Sequence, residues 1–173
     1  RLQPSAPDLH GGHWVAPDRF ALRSDARRFE TWEFDVAGRL HGCEGSGRRV
    51  VQYHPDRTEV LVDRFQGKRL NSPNDLDYHS DGSLYFTDPA YGLPTPEDRA
   101  QEVNGVYRLS AGGELTRLVD QEGPNGVAFS PDESRLYVAD SLTGQWMSYD
   151  VTADGALSEP ALLLDTSGAE ESG

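Results

Sequence analysis

Two stretches of this chain repeat one pattern: Leu70-Asn71-Ser72-Pro73-Asn74-Asp75-Leu76 and Gly123-Pro124-Asn125-Gly126-Val127. Behind the first comes Ser80-Asp81-Gly82-Ser83-Leu84-Tyr85-Phe86-Thr87-Asp88, and behind the second Ser130-Pro131-Asp132-Glu133-Ser134-Arg135-Leu136-Tyr137-Val138-Ala139-Asp140. Asn74 to Asn125 is an offset of 51 and Asp88 to Asp140 one of 52, so one residue has been added in the turn. A third copy stands upstream, where Ala37-Gly38-Arg39-Leu40-His41-Gly42-Cys43-Glu44 aligns with Asp81 to Asp88 at an offset of 44. A chain built this way is constrained to stack copies of one small unit against each other.

Each unit reads as strand, tight turn, strand, then alternating stretches such as Arg49–Tyr53, Glu59–Val62, Gly105–Leu109 and Glu114–Val119. His54-Pro55-Asp56, Ala111-Gly112-Gly113 and Asp154-Gly155 separate them as turn formers, and 18 Gly and 11 Pro argue against long helices. Units of about 40 to 50 residues with four strands apiece are propeller blades, each covering its apolar face with the next. The expected fold is all-β, a partial β-propeller with about three four-stranded blades. Residues 1–29 read as an irregular remnant of a first blade, and residues 30–173 as consecutive blades truncated at the C-terminus. Thr95-Pro96-Glu97-Asp98 predicts a turn or two of helix, with Thr95 as cap and Pro96 at the first helical position. The chain opens on Arg1 instead of Met, which suggests a start inside a longer reading frame.

A formal charge of −13 disfavours binding to a nucleic-acid backbone, because the polyanion is repelled before any groove contact forms. The single cysteine, Cys43, excludes an intrachain disulfide and reads as core. No run approaches the roughly 18 apolar residues of a membrane span, and no signal segment opens the chain, so a soluble, cytoplasmic protein is expected without membrane or nucleic-acid partners.

Propeller geometry turns the repeat into a site. The inner strand leaves each Asn, turns at Asp81-Gly82 or Pro131-Asp132, and its partner returns to Asp88 or Asp140. Asn74, Asp75, Asp88, Asn125 and Asp140 are therefore expected around one channel mouth. Converging oxygens of this kind suit a hard divalent cation. The other reading is that Asn and Asp cap strand ends with Asx turns. The first unit has Glu30 at the Asn position and is read as lacking the polar head, with no ligand role for Glu30. His10 and His13 lie three apart without a third zinc ligand nearby.

From about Gly38 to Asp165, including Gly47-Arg48-Arg49-Val50, Gly67-Lys68-Arg69-Leu70 and the Asp88-Pro89-Ala90-Tyr91-Gly92 loop, the chain resembles the gluconolactonase branch of the SMP-30/regucalcin-like family. The resemblance implies a six-bladed propeller, of which this chain is a part. It also implies a cation in the channel, Ca2+ or another divalent ion such as Mg2+ or Zn2+, and hydrolysis of a small-molecule sugar lactone or related ester to its acid. Asn74 and Asn125 match two of the family's metal ligands. Its Glu ligand falls at His10 in His10-Gly11-Gly12-His13-Trp14, and its Asp ligand and general base would follow Gly173. Imidazole is a poor replacement for a carboxylate on calcium. Ser72, Asp75, Asp88 and Tyr91 flank the same mouth as substrate contacts, with Asp75 and Asp88 as substitute proton acceptors. The alternatives are a non-catalytic propeller that binds carbohydrate or protein, or an inactive truncated product.

Overall fold

Leu84–Asp88 is buried at all five positions, which requires that both faces of this strand be covered. The computed structural model describes residues 29–168 and shows how. Three four-stranded antiparallel sheets follow one another: β1 (Phe29–Phe34) to β4 (Thr58–Val62), with β2 (Leu40–Glu44) and β3 (Arg49–Tyr53) between, make the first. β7 (Asp75–Tyr78), β8 (Leu84–Asp88), β9 (Asn104–Leu109) and β10 (Leu115–Gln121) make the second. β11 (Pro124–Phe129), β12 (Arg135–Asp140), β13 (Gln145–Asp150) and β14 (Ala161–Asp165) make the third. These are consecutive propeller blades, as the repeat predicts. His10, His13 and nearly all of the expected first-blade remnant fall outside the described residues.

Strand alternation sends the middle blade's side chains both ways. Leu84 and Phe86 join Cys43, Val50, Val62, Leu70, Leu76 and Tyr107 in a core against the first blade. Tyr85 joins Val106, Val127, Leu136, Val138 and Tyr149 in a second core against the third. Phe86 lies flat on Tyr107, ring centroids 5.3 Å apart and planes 12° from parallel. Cys43 is fully buried, in the core as expected, and burial pushes its thiol well up.

The turns follow the repeat. Gly82 sits at φ +85°, in the left-handed region, between β7 and β8. The residue added in the third blade puts Glu133 at φ 58° in the corresponding turn. Its carboxylate accepts the Ser80 N–H at 2.9 Å and the Ser80 hydroxyl, tying the two turns across blades. The expected short helix is present as one 3₁₀ turn, Pro96–Asp98, with Thr95 at its N-cap and Pro96 first. One element differs from expectation. A two-stranded hairpin, β5 (Arg64–Phe65) and β6 (Lys68–Arg69), precedes the middle blade, closed by Gln66 and Gly67 at φ 51° and 80°. Among the described residues no helix is long and apolar enough to cross a membrane.

Candidate cation and substrate site

The inner strands β1, β7 and β11 lie side by side, with β7 between the other two. Their register is set by carboxylates. Asp75 Oδ2 accepts the Val127 N–H and Asp77 Oδ2 the Phe129 N–H, both at 2.8 Å, so β7 reaches two rungs of β11. The Thr31 side chain hydrogen-bonds Asp75 from the other side. Burial raises the pKa of Asp75, while the Val127 amide and Thr31 pull it back.

This register brings Asn74 and Asn125 together. Asn74 Nδ2 lies 2.7 Å from Asn125 Oδ1, 3.3 Å from the Asn125 carbonyl oxygen and 2.7 Å from the Tyr91 hydroxyl. Asn74 Oδ1 accepts the Thr87 hydroxyl at 2.6 Å, and Asn125 Nδ2 donates to Ser141 Oγ at 2.6 Å. An NH2 group has two hydrogens, yet three oxygens surround this one. That surplus of acceptors, all neutral and hard, fits a small hard cation, and rotation of the Asn74 carboxamide would turn a fourth oxygen toward the same point. Among the described residues no group of three or more His, Cys, Asp or Glu is placed to hold a metal, so most ligands of a site here are amide, carbonyl and hydroxyl oxygens.

Tyr91 is 47% exposed, and its phenol is pushed up to about 12, chiefly by burial of the ring and then by the charge of Glu30. It is the one proposed substrate contact that is both exposed and in contact with the Asn pair. Ser72 is corrected: only 2% is exposed, and a Cβ added to Gly92 would collide with its Oγ. The loop lies over Ser72 and shuts it from the mouth. Asp88 is corrected likewise. None of it is exposed, and its Oδ2 accepts the Asn71 N–H at 2.8 Å. Burial raises it to about 7, against the pull of the Asn71 and Ser72 amides and of Arg48. Asp140 does the same work in the third blade, accepting the N–H groups of Gly123, Leu142 and Thr143 at 2.9, 3.0 and 3.0 Å. Both carboxylates close strand ends instead of facing ligand.

The loop carrying Tyr91 is fastened by residues that the sequence reading left without a role. Asn71 Oδ1 accepts the N–H groups of Ala100 and Gln101, and Gln101 Nε2 faces the carbonyls of Phe65, Lys68 and Arg69, each at 3.1 Å. Arg48 bridges the carbonyls of Leu70 and Asp98, both at 2.7 Å. Asn71 was recoverable in principle, since it stands three residues before Asn74 within the repeated motif. Gln101 and Arg48 carry no local signal.

A three-blade stretch of propeller whose inner strands present an Asn pair at one end defines the class. A profile of the SMP-30/Gluconolactonase/LRE-like region matches residues 22–172, and the chain belongs to that family. It is 40% identical over 110 residues to a gluconolactonase of Zymomonas mobilis, covering 60% of this chain and 31% of that protein. It is 34% identical over 92 residues to the lactonohydrolase oryL of Aspergillus oryzae, covering 51% of this chain and 21% of that one. The solved structure of a gluconolactonase from Xanthomonas campestris superposes with a TM-score of 0.71 at 38% identity, over 78% of this chain and 48% of its own. The chain thus spans about half the length of that solved relative, and less of the two curated ones.

Proposed function

We propose that this chain forms part of a divalent-cation-dependent hydrolase acting on sugar lactones or related esters. The observation carrying this reading is the Asn74–Asn125 pair, drawn together with Tyr91 across two blades; the lactone-hydrolysing relatives give the reaction class. Asn74 and Asn125 would hold the cation by their carboxamide oxygens, with calcium the best match to hard, neutral donors. A bound cation of this kind polarises a carbonyl and stabilises the charge that develops on its oxygen. Tyr91, protonated at neutral pH and partly exposed, offers its hydroxyl to a substrate oxygen. Asp75 is bound to Val127 and Thr31, Asp88 and Asp140 to backbone amides, so none of the three is free to take a proton from water.

Isothermal titration with calcium is the direct test. One saturable site, lost in Asn74→Ala and Asn125→Ala, supports the reading; equal weak binding by wild type and variants refutes it. Hydrolysis of gluconolactone followed by pH-stat then separates an enzyme from a platform, since lactone binding without turnover is the signature of the non-catalytic alternative.

A further inference from the structure

We infer that Glu30 supplies a charged oxygen to the cation site whose neutral oxygens come from Asn74 and Asn125. The inference rests on the cation reading above and adds to it a ligand that carries charge. It reverses the expectation that the first unit contributes nothing at this position.

The repeat is the first observation. Glu30, Asn74 and Asn125 stand immediately before Thr31, Asp75 and Gly126 on the three adjacent inner strands. Asp75 is bound on one side by the Thr31 side chain and on the other by the Val127 amide. A single carboxylate therefore sets three blades in register, and Glu30 and Asn74, one residue before the clasp, and Asn125, two residues before it, are carried to one end of the channel.

Local space is the second. Gly45, just after β2, leaves room that a side chain would fill: a Cβ there would stand 2.9 Å from Ser72 Oγ, 3.0 Å from Glu30 Cγ and 3.1 Å from Glu30 Oε1. Glu30 and Ser72 thus both border Gly45, and Ser72 also borders Gly92, the neighbour of Tyr91. Glu30 itself is exposed, and its charge acts on the Tyr91 phenol ahead of those of Asp140 and Asp75. The Tyr91 oxygen is 2.7 Å from Asn74 Nδ2, inside the cluster of oxygens already described.

Elimination is the third. Asp75, Asp88 and Asp140 each hold backbone amides and face away from this use. Calcium affinity depends on how many ligands carry charge, and a set of carboxamides and a phenol alone binds weakly. Among the described residues Glu30 is the carboxylate whose charge acts most on Tyr91, and no backbone amide is assigned to it.

The test uses calcium, and terbium(III) as a luminescent substitute excited through Tyr91. Glu30→Gln is expected to weaken calcium binding about tenfold or more, with metal-free thermal unfolding at the wild-type midpoint because the side chain is exposed. Glu30→Ala is expected to raise the number of waters on bound terbium, read from emission lifetimes in H2O and D2O, a change that a merely structural role does not produce. Gly45→Ala, which displaces the carboxylate, is expected to give the same loss of affinity. Wild-type affinity in Glu30→Gln, with binding lost in Asn74→Ala, overturns the role of Glu30 while the Asn pair stands. No saturable site in the wild type overturns both.

Discussion

Asp88 and Asp140 occupy the same place in successive repeats, yet their carboxylates are served differently. Asp140 Oδ1 receives the amides of Leu142 and Thr143. Behind Asp88 stands Pro89, which has no N–H, and Ala90 gives its N–H to Asn104 Oδ1 at 2.9 Å, so Asp88 Oδ1 is buried without a partner. A buried carboxylate without full hydrogen bonding prefers its neutral form. The folded-state value of about 7 stands above the ordinary 3.8, so protonation favours the fold. This contribution is complete below 3.8 and is lost as pH rises toward 7, beyond which both states are ionised and the loss levels off. Urea unfolding of wild type and Asp88→Asn should show wild type losing stability relative to the variant across that window, on the order of a few kcal/mol. Parallel curves would mean that the Asp88 carboxyl titrates normally. The repeat announced Asp88 as a residue of position, but its burial depends on Pro89 and Asn104, which only the folded loop brings to it.

Among the elements, the loop between β8 and β9 is held by amides and carbonyls instead of apolar packing. Gln101 is 4% exposed and sits under three backbone carbonyls. Removing a buried donor strands its acceptors, so Gln101→Ala should destabilise the chain by about 1–3 kcal/mol. Hydrogen exchange should quicken first in residues 90–103, ahead of the blade strands; uniform exchange across the sheets would contradict this local role. Strand starts and turns were legible in sequence because backbone sterics act locally: Arg49–Tyr53 was located to the residue. The β5–β6 hairpin was missed, since two-residue strands of Arg, Phe and Lys show no alternation and only Gly67 marks the turn. The Asn pair was legible as a pair; the clasp of Asp75 on Val127, which makes them touch, spans 52 residues and leaves no local trace.

For the whole molecule, the described residues cover the middle blade on both faces and the third on one. Leu136 and Val138 are buried against the middle blade, whereas Trp146 is 46% exposed, and Leu162, Leu163 and Leu164 are 55%, 57% and 49% exposed. Trp146 and Leu164 are directly paired across β13 and β14. An exposed apolar edge strand recruits other chains. The 173-residue chain is therefore expected to self-associate with rising concentration in sedimentation velocity, and Leu164→Asp to reduce it; unchanged monomer at all concentrations would count against that edge as a contact surface. The blade count was readable from the period alone, but which faces stay open depends on how the sheets stack.

The Thr31–Asp75–Val127 clasp has a consequence for how such a ring changes over time. It separates two duties that most sites force on one residue: holding the staves of the barrel together, and choosing what sits at the rim. Because the clasp stands one step along from Glu30 and Asn74, a substitution at either rim position alters charge at the channel without loosening the joint between blades. Duplicated units can diverge in what they grip while remaining interchangeable in how they fit.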